Sequence, residues 1–184
     1  GFGPVRESTY NMYEENDTRR DATILDAREY SYTKRYEDTG FWLKKYCARA
    51  GYNEGQIADA QLNYGNDLRI YRYSETLLNA AELLIQTGGS TSVAQGYLDQ
   101  VRTRAGLDAG SVTASIDNII EERHLEFVGE GKRYWDLIRS DKAATTLTAG
   151  EYRTVNWAPN KKYLPIPDTE ISASDGILEQ YTEY

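Results

Sequence analysis

The sequence predicts a mainly α protein with long loops and one minor β-hairpin. Three observations predict this class. Apolar residues recur at helical spacing between residues 68 and 139, glycines and hydroxyl side chains mark helix ends within that stretch, and only residues 23–32 and 40–46 show strand-like alternation. With 184 residues, 40% of them hydrophobic, the chain is long enough to bury a core.

The first predicted helix covers residues 68–85. Its apolar residues are separated mostly by three, four or seven positions, which places them on one helix face. They are Leu68, Tyr71, Leu77, Leu78, Ala81, Leu84 and Ile85. Gly88 and Gly89 then end the helix, because glycine takes the left-handed conformation that closes a helix at little steric cost.

A second helix follows, with Ser90 or Thr91 as its cap and Gly106 at its end. Its predicted buried residues are Val93, Ala94, Tyr97, Leu98, Val101 and Ala105. Because the connection is short, the two helices should pack antiparallel, as in a tetratricopeptide unit of about 34 residues. One such unit leaves a face open, which either the third helix or helices outside this chain would cover. We expect one face to stay uncovered, so the chain should be unstable in isolation.

The third predicted helix starts after Ser115 and is kinked at Gly129 and Gly131 before it continues to Arg139. Residues 52–67 and 143–160 have loop composition. Residues around Pro165 and Pro167 should be extended, since proline excludes helix there.

The bulk composition excludes several classes of function. A net charge of −8 argues against binding nucleic acid or anionic lipid, which both require clustered cations. One histidine, His124, and one cysteine, Cys47, are too few for a transition-metal site. A carboxylate calcium site at Asp17 with Asp21, or at Asp108, is the remaining metal alternative. We therefore expect no catalytic residues, no resident metal and no cofactor.

The charged residues of the third helix have a structural interpretation. His124 should lie at the edge of the core beside Glu121 or Glu126. The neighbouring acids and bases indicate solvated or cross-helix ion pairs. Asp17 and Arg20 are interpreted as residues that hold the fold.

Binding is the function that remains. The chain has 16 tyrosines, whose rings and hydroxyls suit half-wet surfaces that contact sugars. The candidate ligand-binding residues outside the core helices are Phe2, Arg6, Tyr10, Asn11, Tyr13, Asn156 and Trp157. The alternative for each aromatic is a loop residue pinned to the core.

Seven segments, in the same order along the chain, resemble motifs of the SusD/RagB family: DTRR at 17–20, GFWLKKY at 40–46, RYSETLLNAAE at 72–82, VRTRAGL at 101–107, IEERHLEF at 120–127, GKRYWDLIR at 131–139 and YLPIPDTEI at 163–171. The resemblance implies a SusD-like, tetratricopeptide-like helical fold. It also implies that residues 1–184 form the C-terminal part of a SusD/RagB-like domain, with a signal and lipid anchor in an N-terminal part outside this chain.

The same resemblance implies a function. It suggests non-catalytic capture of oligosaccharides by a surface-exposed lipoprotein of the bacterial outer membrane, in nutrient uptake of the Bacteroidetes type. The expected partners are a SusC-like TonB-dependent transporter, the glycan and the remaining N-terminal part of the protein. Peptide binding, a soluble tetratricopeptide-type interaction module and a glycoside hydrolase are the alternatives.

Overall fold

The computed structural model describes residues 3–47 and 67–182, which divide into two compact units, Gly1–Arg133 and Tyr134–Tyr184. The predicted mainly α class with a minor β-hairpin is confirmed. The elements are α1 (Glu7–Tyr10), α2 (Arg19–Thr23), β1 (Ile24–Asp26), β2 (Phe41–Leu43), α3 (Tyr73–Gln86), α4 (Thr91–Arg104), α5 (Ile116–Glu126), α6 (Arg133–Arg139), α7 (Ala143–Thr146) and α8 (Asp168–Ala173), with 3₁₀ turns at Ala27–Glu29 and Pro159–Lys162.

Helices α3 and α4 form the predicted hairpin, and the predicted stops and caps are confirmed. Gly88 has a φ of 69° and Gly106 a φ of 89°, both in the left-handed region. The Ser90 hydroxyl accepts a hydrogen bond from the Val93 N–H, which caps α4. The structure agrees with these predictions because a glycine stop or a serine cap depends only on groups within one helix turn.

The predicted start of the first helix is wrong. The helix begins at Tyr73, and Leu68 and Tyr71 are exposed in the segment before it. Arg72 is extended, with φ −135° and ψ 157°, and its guanidinium binds two carboxylates of a distant part of the chain. These long-range ion pairs fix Arg72 outside the helix, and the helical spacing of the residues before it does not extend the helix.

The core of the first unit lies where α5 covers the hairpin. Its buried residues are Leu77, Leu78, Ala81, Ala94, Leu98, Val101, Ile119 and Phe127. The prediction that Val93 is buried is wrong, because its side chain is 45% exposed at the first turn of α4. The third helix thus covers one face of the hairpin, while Leu83 on α3 stays 59% exposed.

The predicted kinked helix is two separate helices. Helix α5 ends at Glu126 and α6 begins at Arg133. Between them Gly129 and Gly131 have φ values of 80° and 73°, which L side chains rarely adopt. The two glycines therefore end one helix and allow the chain to begin another.

We expect Gly129→Ala to destabilise the fold more than Gly131→Ala. Both alanines meet the left-handed penalty of about 1–2 kcal/mol. A methyl at Gly129 would also lie 2.7 Å from Leu43 Cδ2, whereas the space at Gly131 is open. Overpacking adds about 1–3 kcal/mol, so denaturant titration should separate the two variants by that amount. Equal losses would mean that Leu43 moves aside without cost.

A second, smaller core lies beside the β-hairpin. Strands β1 and β2 pair antiparallel, with Leu25 opposite Trp42, and confirm the predicted pairing over three residues of each segment. The Val5 N–H donates to the Phe41 carbonyl at 2.8 Å and ties the first residues of the chain to β2. The buried residues of this cluster are Val5, Tyr13, Ile24, Phe41 and Val128.

The second unit contains α7, α8, a 3₁₀ turn and the extended residues 163–167 that the prolines predict. Helices α7 and α8 are not predicted by the sequence, and α7 lies within residues 143–160, for which a loop is predicted. Helix α8 begins directly after Pro167 and carries Asp168 and Glu170 in its first turn, where acidic side chains favour a helix start. Within residues 3–47 and 67–182, none of the helices combines the length and apolar content that crossing a membrane requires.

Candidate functional site

The most polar part of the interior is a lattice of ion pairs on the buried side of α5. The Arg19 guanidinium lies between Asp17, at 2.6 Å, and the carboxylates of Glu122 and Glu126. Arg102 of α4 donates to Glu122 at 2.9 Å. All five side chains are at most 7% exposed, so the lattice joins α2, α4 and α5 inside the protein.

Glu126 is the centre of this lattice. Its carboxylate accepts from Arg72 at 2.8 Å, from Arg104 at 2.7 Å and from Arg19 at 3.1 Å. Burial acts to raise the pKa of Glu126, but the hydrogen bond from Arg72 and the arginine charges outweigh it and lower the pKa. Glu126 therefore stays ionised and fully engaged, as suits a structural group and not a general acid.

The interpretation of the acidic residues of α5 as ion pairs between elements is confirmed, and the solvated alternative is wrong for Glu122 and Glu126. The fold-holding arginine is Arg19 and not Arg20. Arg20 turns outward to the exposed Asp21, at 3.0 Å. Neighbouring arginines are indistinguishable in the sequence motif, and the helical direction of α2 decides which one points inward.

We expect acid to weaken the fold through Glu121 of α5. His124, whose Nδ1 lies 3.8 Å from Glu121, and Arg133, at 3.0 Å, lower the pKa of Glu121 from 4.5 to about 2. Between these two values the unfolded chain binds more protons than the folded chain, so the free energy of unfolding falls as the pH falls through this window. Urea titrations across the window should show that slope, and Glu121→Gln should reduce it; an unchanged slope would contradict the prediction.

A polar cleft with aromatic walls lies between α1, α2 and the β-hairpin. Two tyrosines, Tyr10 and Tyr30, line it together with the aliphatic Ile24 and Leu25. Its charged lining consists of Arg20, Asp21, Asp26, Glu29 and Lys44. Rings, carboxylates and cations around one cleft are the groups that contact sugar faces and hydroxyls, and we call this lining the tyrosine cleft.

Of the five candidate ligand residues near the start of the chain, Tyr10 and Tyr13 differ in their surroundings: Tyr10 lines a cleft and Tyr13 lies in the core. Tyr10 lies in the tyrosine cleft, with its ring stacked on Phe41 at 4.4 Å and the Arg20 guanidinium 5.2 Å from its centroid. Tyr13 is 5% exposed in the core, and its hydroxyl donates to the Leu125 carbonyl at 2.8 Å. Burial raises the pKa of that hydroxyl. The structure therefore favours the packing alternative for Tyr13, which is not among the ligand residues proposed below.

The remaining predicted residues lie in three places. Arg6 and Asn11 are exposed at the two ends of α1, and Phe2 lies outside the described residues. In the second unit, Asn156 accepts from the Ala149 N–H at 2.8 Å, and the half-buried Trp157 donates from Nε1 to the Tyr134 hydroxyl at 3.3 Å. Ligand contact by these residues stays a prediction.

At the first candidate calcium site, Asp17 with Asp21, the Asp17 carboxylate is already paired with an arginine. Both oxygens of Asp17 accept from Arg19, at 2.9 Å and 2.6 Å. A guanidinium thus occupies the place that a cation would take. Within residues 3–47 and 67–182, no three His, Cys, Asp or Glu side chains are grouped closely enough to hold a metal ion.

The sequence model of the SusD family matches residues 4–184. The chain belongs to the SusD family. The resemblance seen in the seven motifs is thereby confirmed, and so is the SusD-like fold.

Two SusD-like relatives of known structure cover almost all of this chain. Surface glycan-binding protein A from Bacteroides thetaiotaomicron is 52% identical over 97% of the chain, with a TM-score of 0.88. Its complex with laminarihexaose superposes with a TM-score of 0.87. A laminarin-binding SusD-like protein is 35% identical over 98% of the chain, with a TM-score of 0.83.

The chain is shorter than these SusD-like proteins. It covers 41% of surface glycan-binding protein A and 38% of the laminarin-binding protein. It also covers 39% of SusD-like protein P2 from Formosa agariphila, which is 28% identical over 95% of this chain. The chain thus spans about two fifths of the length of these SusD-like relatives.

Sequence reasoning missed Tyr30, Arg20 and Lys44 as members of one cleft of this SusD-like chain. Tyr30 is 61% exposed, an unusual position for a large ring. Its sequence context, between a 3₁₀ turn and a loop, carries no periodic signal that could have indicated this cleft. Only the pairing of β1 with β2 brings Lys44 beside the residues of α2.

Proposed function

We propose that the complete protein captures laminarin-type glycans at the bacterial cell surface without cleaving them. The observation that carries this proposal is the likeness to surface glycan-binding protein A in complex with laminarihexaose, at 53% identity over 96% of this chain. The two folds superpose with a TM-score of 0.87. The laminarin-binding relative supports the same class of ligand.

Part of the glycan contact is proposed to come from the tyrosine cleft, together with Arg6 and Asn11 at the ends of α1. Tyr30 offers an exposed ring for the C–H face of a sugar, since it is 61% exposed. Arg20 and Lys44 offer donors, and Asp21, whose carboxylate is 76% exposed, offers acceptors for hydroxyls. Asn156 and Trp157 of the second unit are proposed as a further contact.

Delivery to a SusC-like TonB-dependent transporter and anchoring at the outer membrane complete the proposal. Membership of the SusD family supports both. Both are proposed for the whole protein, since this chain spans about two fifths of the length of its SusD-like relatives.

Calorimetric titration of the full-length protein tests the proposed ligand. We expect saturable binding of laminarihexaose, weaker or no binding of maltohexaose and of a hexapeptide, and no shorter products after long incubation. Binding of the peptide alone would favour a peptide-binding member of the family. Release of shorter oligosaccharides would overturn the non-catalytic part of the proposal.

Two tyrosine substitutions, one inside the tyrosine cleft and one outside it, test the proposed cleft. Loss of one stacking ring removes about 0.5–1.5 kcal/mol, so Tyr30→Ala should weaken laminarihexaose binding about 2- to 12-fold. Tyr36→Ala, in the following loop and 83% exposed, is the matched control and should leave the affinity unchanged. Equal effects of the two variants would exclude the tyrosine cleft from the glycan site.

A further inference from the structure

A second cleft in the first unit is lined by an excess of cations. It opens beside the ion-pair lattice and shares no lining residue with the tyrosine cleft. Its charged lining consists of five cations and one carboxylate: Arg19, Lys45, Arg69, Arg72, Arg104 and Glu126. We call it the arginine cleft. Such a lining is unexpected in a chain with a net charge of −8.

Each carboxylate next to these cations forms ion pairs with more than one of them. Glu126 pairs with three arginines, and Glu130 pairs with both Arg72, at 2.8 Å, and Lys45, at 2.6 Å. Both carboxylates are at most 2% exposed, whereas Arg104 and Arg69 are exposed to solvent. A molecule entering from solvent therefore meets positive charge first.

Two guanidinium groups of this lining belong to exposed side chains. Arg104 is 57% exposed at its side chain, and its described hydrogen bonds all leave from Nη2 toward Glu126. Its Nε and Nη1 have no acceptor within the described part of the chain. Arg69 is exposed at the rim of the cleft. A planar guanidinium offers parallel N–H donors that match two oxygens of an oxyanion.

We propose that the arginine cleft binds an oxyanion: the carboxylate, sulfate or phosphate group of a small ligand. Arg104 and Arg69 donate to its oxygens, and Arg72 and Lys45 add charge from the wall. The buried lattice positions these groups before a ligand arrives, because Glu126 already orients Arg72 and Arg104. This site is independent of the proposed glycan function, since laminarihexaose carries no charge.

The test uses the full-length protein with three probes, which are inorganic sulfate, inorganic phosphate and glucuronate, and with acetate as the reference carboxylate. We expect saturable binding of at least one probe by calorimetry, weakened by added sodium chloride because screening reduces the attraction. A preference for glucuronate over acetate would indicate an acidic sugar as the source of the oxyanion. A preference for sulfate or phosphate over both would indicate a free or esterified mineral anion.

The double variant Arg69→Ala with Arg104→Ala should reduce the affinity for the preferred probe at least about 10-fold, as loss of charge-assisted hydrogen bonds does. Arg69→Lys with Arg104→Lys should recover only part of the affinity, because lysine keeps the charge and loses the paired donors. Arg35→Ala, an exposed arginine outside this cleft, is the control. Unchanged laminarihexaose affinity shows that the double variant is folded.

Two results would overturn the proposal. They are no binding of any probe and equal binding to the double variant. A protein that binds its glycan but none of the three probes would refute the oxyanion site and leave the proposed function intact.

Discussion

Replacing Glu126 by glutamine should lower the free energy of unfolding of the protein by about 3–5 kcal/mol, the cost of leaving buried cations without their partner. Three arginines converge on this carboxylate, which is 1% exposed. The amide keeps the shape of the side chain but offers one acceptor where the carboxylate offers two. Denaturant titration of the full-length protein measures the loss.

Glu15→Gln is the matched control for this substitution. Glu15 is exposed in the turn between α1 and α2, so the same chemical change there should alter the free energy of unfolding by less than about 0.5 kcal/mol. If Glu126→Gln cost no more than the control, the lattice would not hold α2, α4 and α5 together. Water would then have to replace the carboxylate among the arginines.

Phe41→Ala is the second substitution for which we expect a large effect. Phe41 has no exposed surface, stacks on Tyr10 at 4.4 Å and lies 4.2 Å from the Arg28 guanidinium. Truncation leaves a cavity in the small core beside the β-hairpin, which should cost about 3–5 kcal/mol. The same titration measures it.

The loss at Phe41 should also have a local signature. Since β2 is tied to the start of the chain through Phe41, amide exchange at Val5 and in β1 should accelerate before exchange in α3. Trp42→Ala serves as the neighbouring control, because this half-exposed ring points to the other face of the strand. Equal losses at Phe41 and Trp42 would contradict a core organised around Phe41.

Sequence reasoning succeeds where the cause of a structure is local. The Gly88 and Gly106 stops and the Ser90 and Ser115 caps are confirmed because each acts within a single turn on groups a few residues away. The face of the hairpin that meets α5 follows from the 3.6-residue period. These signals suffice to predict the hairpin and the order of the main helices.

Sequence reasoning fails where contacts between residues distant in the sequence determine the local structure. Leu68 and Tyr71 fit the helical spacing, but the ion pairs of Arg72 with Glu126 and Glu130 keep the chain extended just before Tyr73. Ligand contact by Tyr13 stays a prediction, but the partner of its hydroxyl, the Leu125 carbonyl 112 positions away, is not visible in the sequence. Neither partner can be inferred from neighbouring residues.

The same limit applies to the two clefts, because each combines residues that are distant in the sequence. The tyrosine cleft combines Tyr10 with Arg20, Tyr30 and Lys44, which only the β1–β2 pairing brings together. The arginine cleft likewise combines residues from five separate segments. A single sequence shows the residue types in such sites and leaves their grouping open.

The span of the ion-pair lattice has a consequence for the order of folding. The hairpin of α3 and α4 closes over a few residues, whereas Arg19 meets Glu122 across 103 positions and Glu126 across 107. Contacts of such separation carry a large loop-closure entropy, so they form late. Substitutions in the lattice should thus accelerate unfolding and barely slow refolding, while substitutions in the hairpin should slow refolding. We therefore expect the ion-pair lattice to be the last part of the first unit to form during folding.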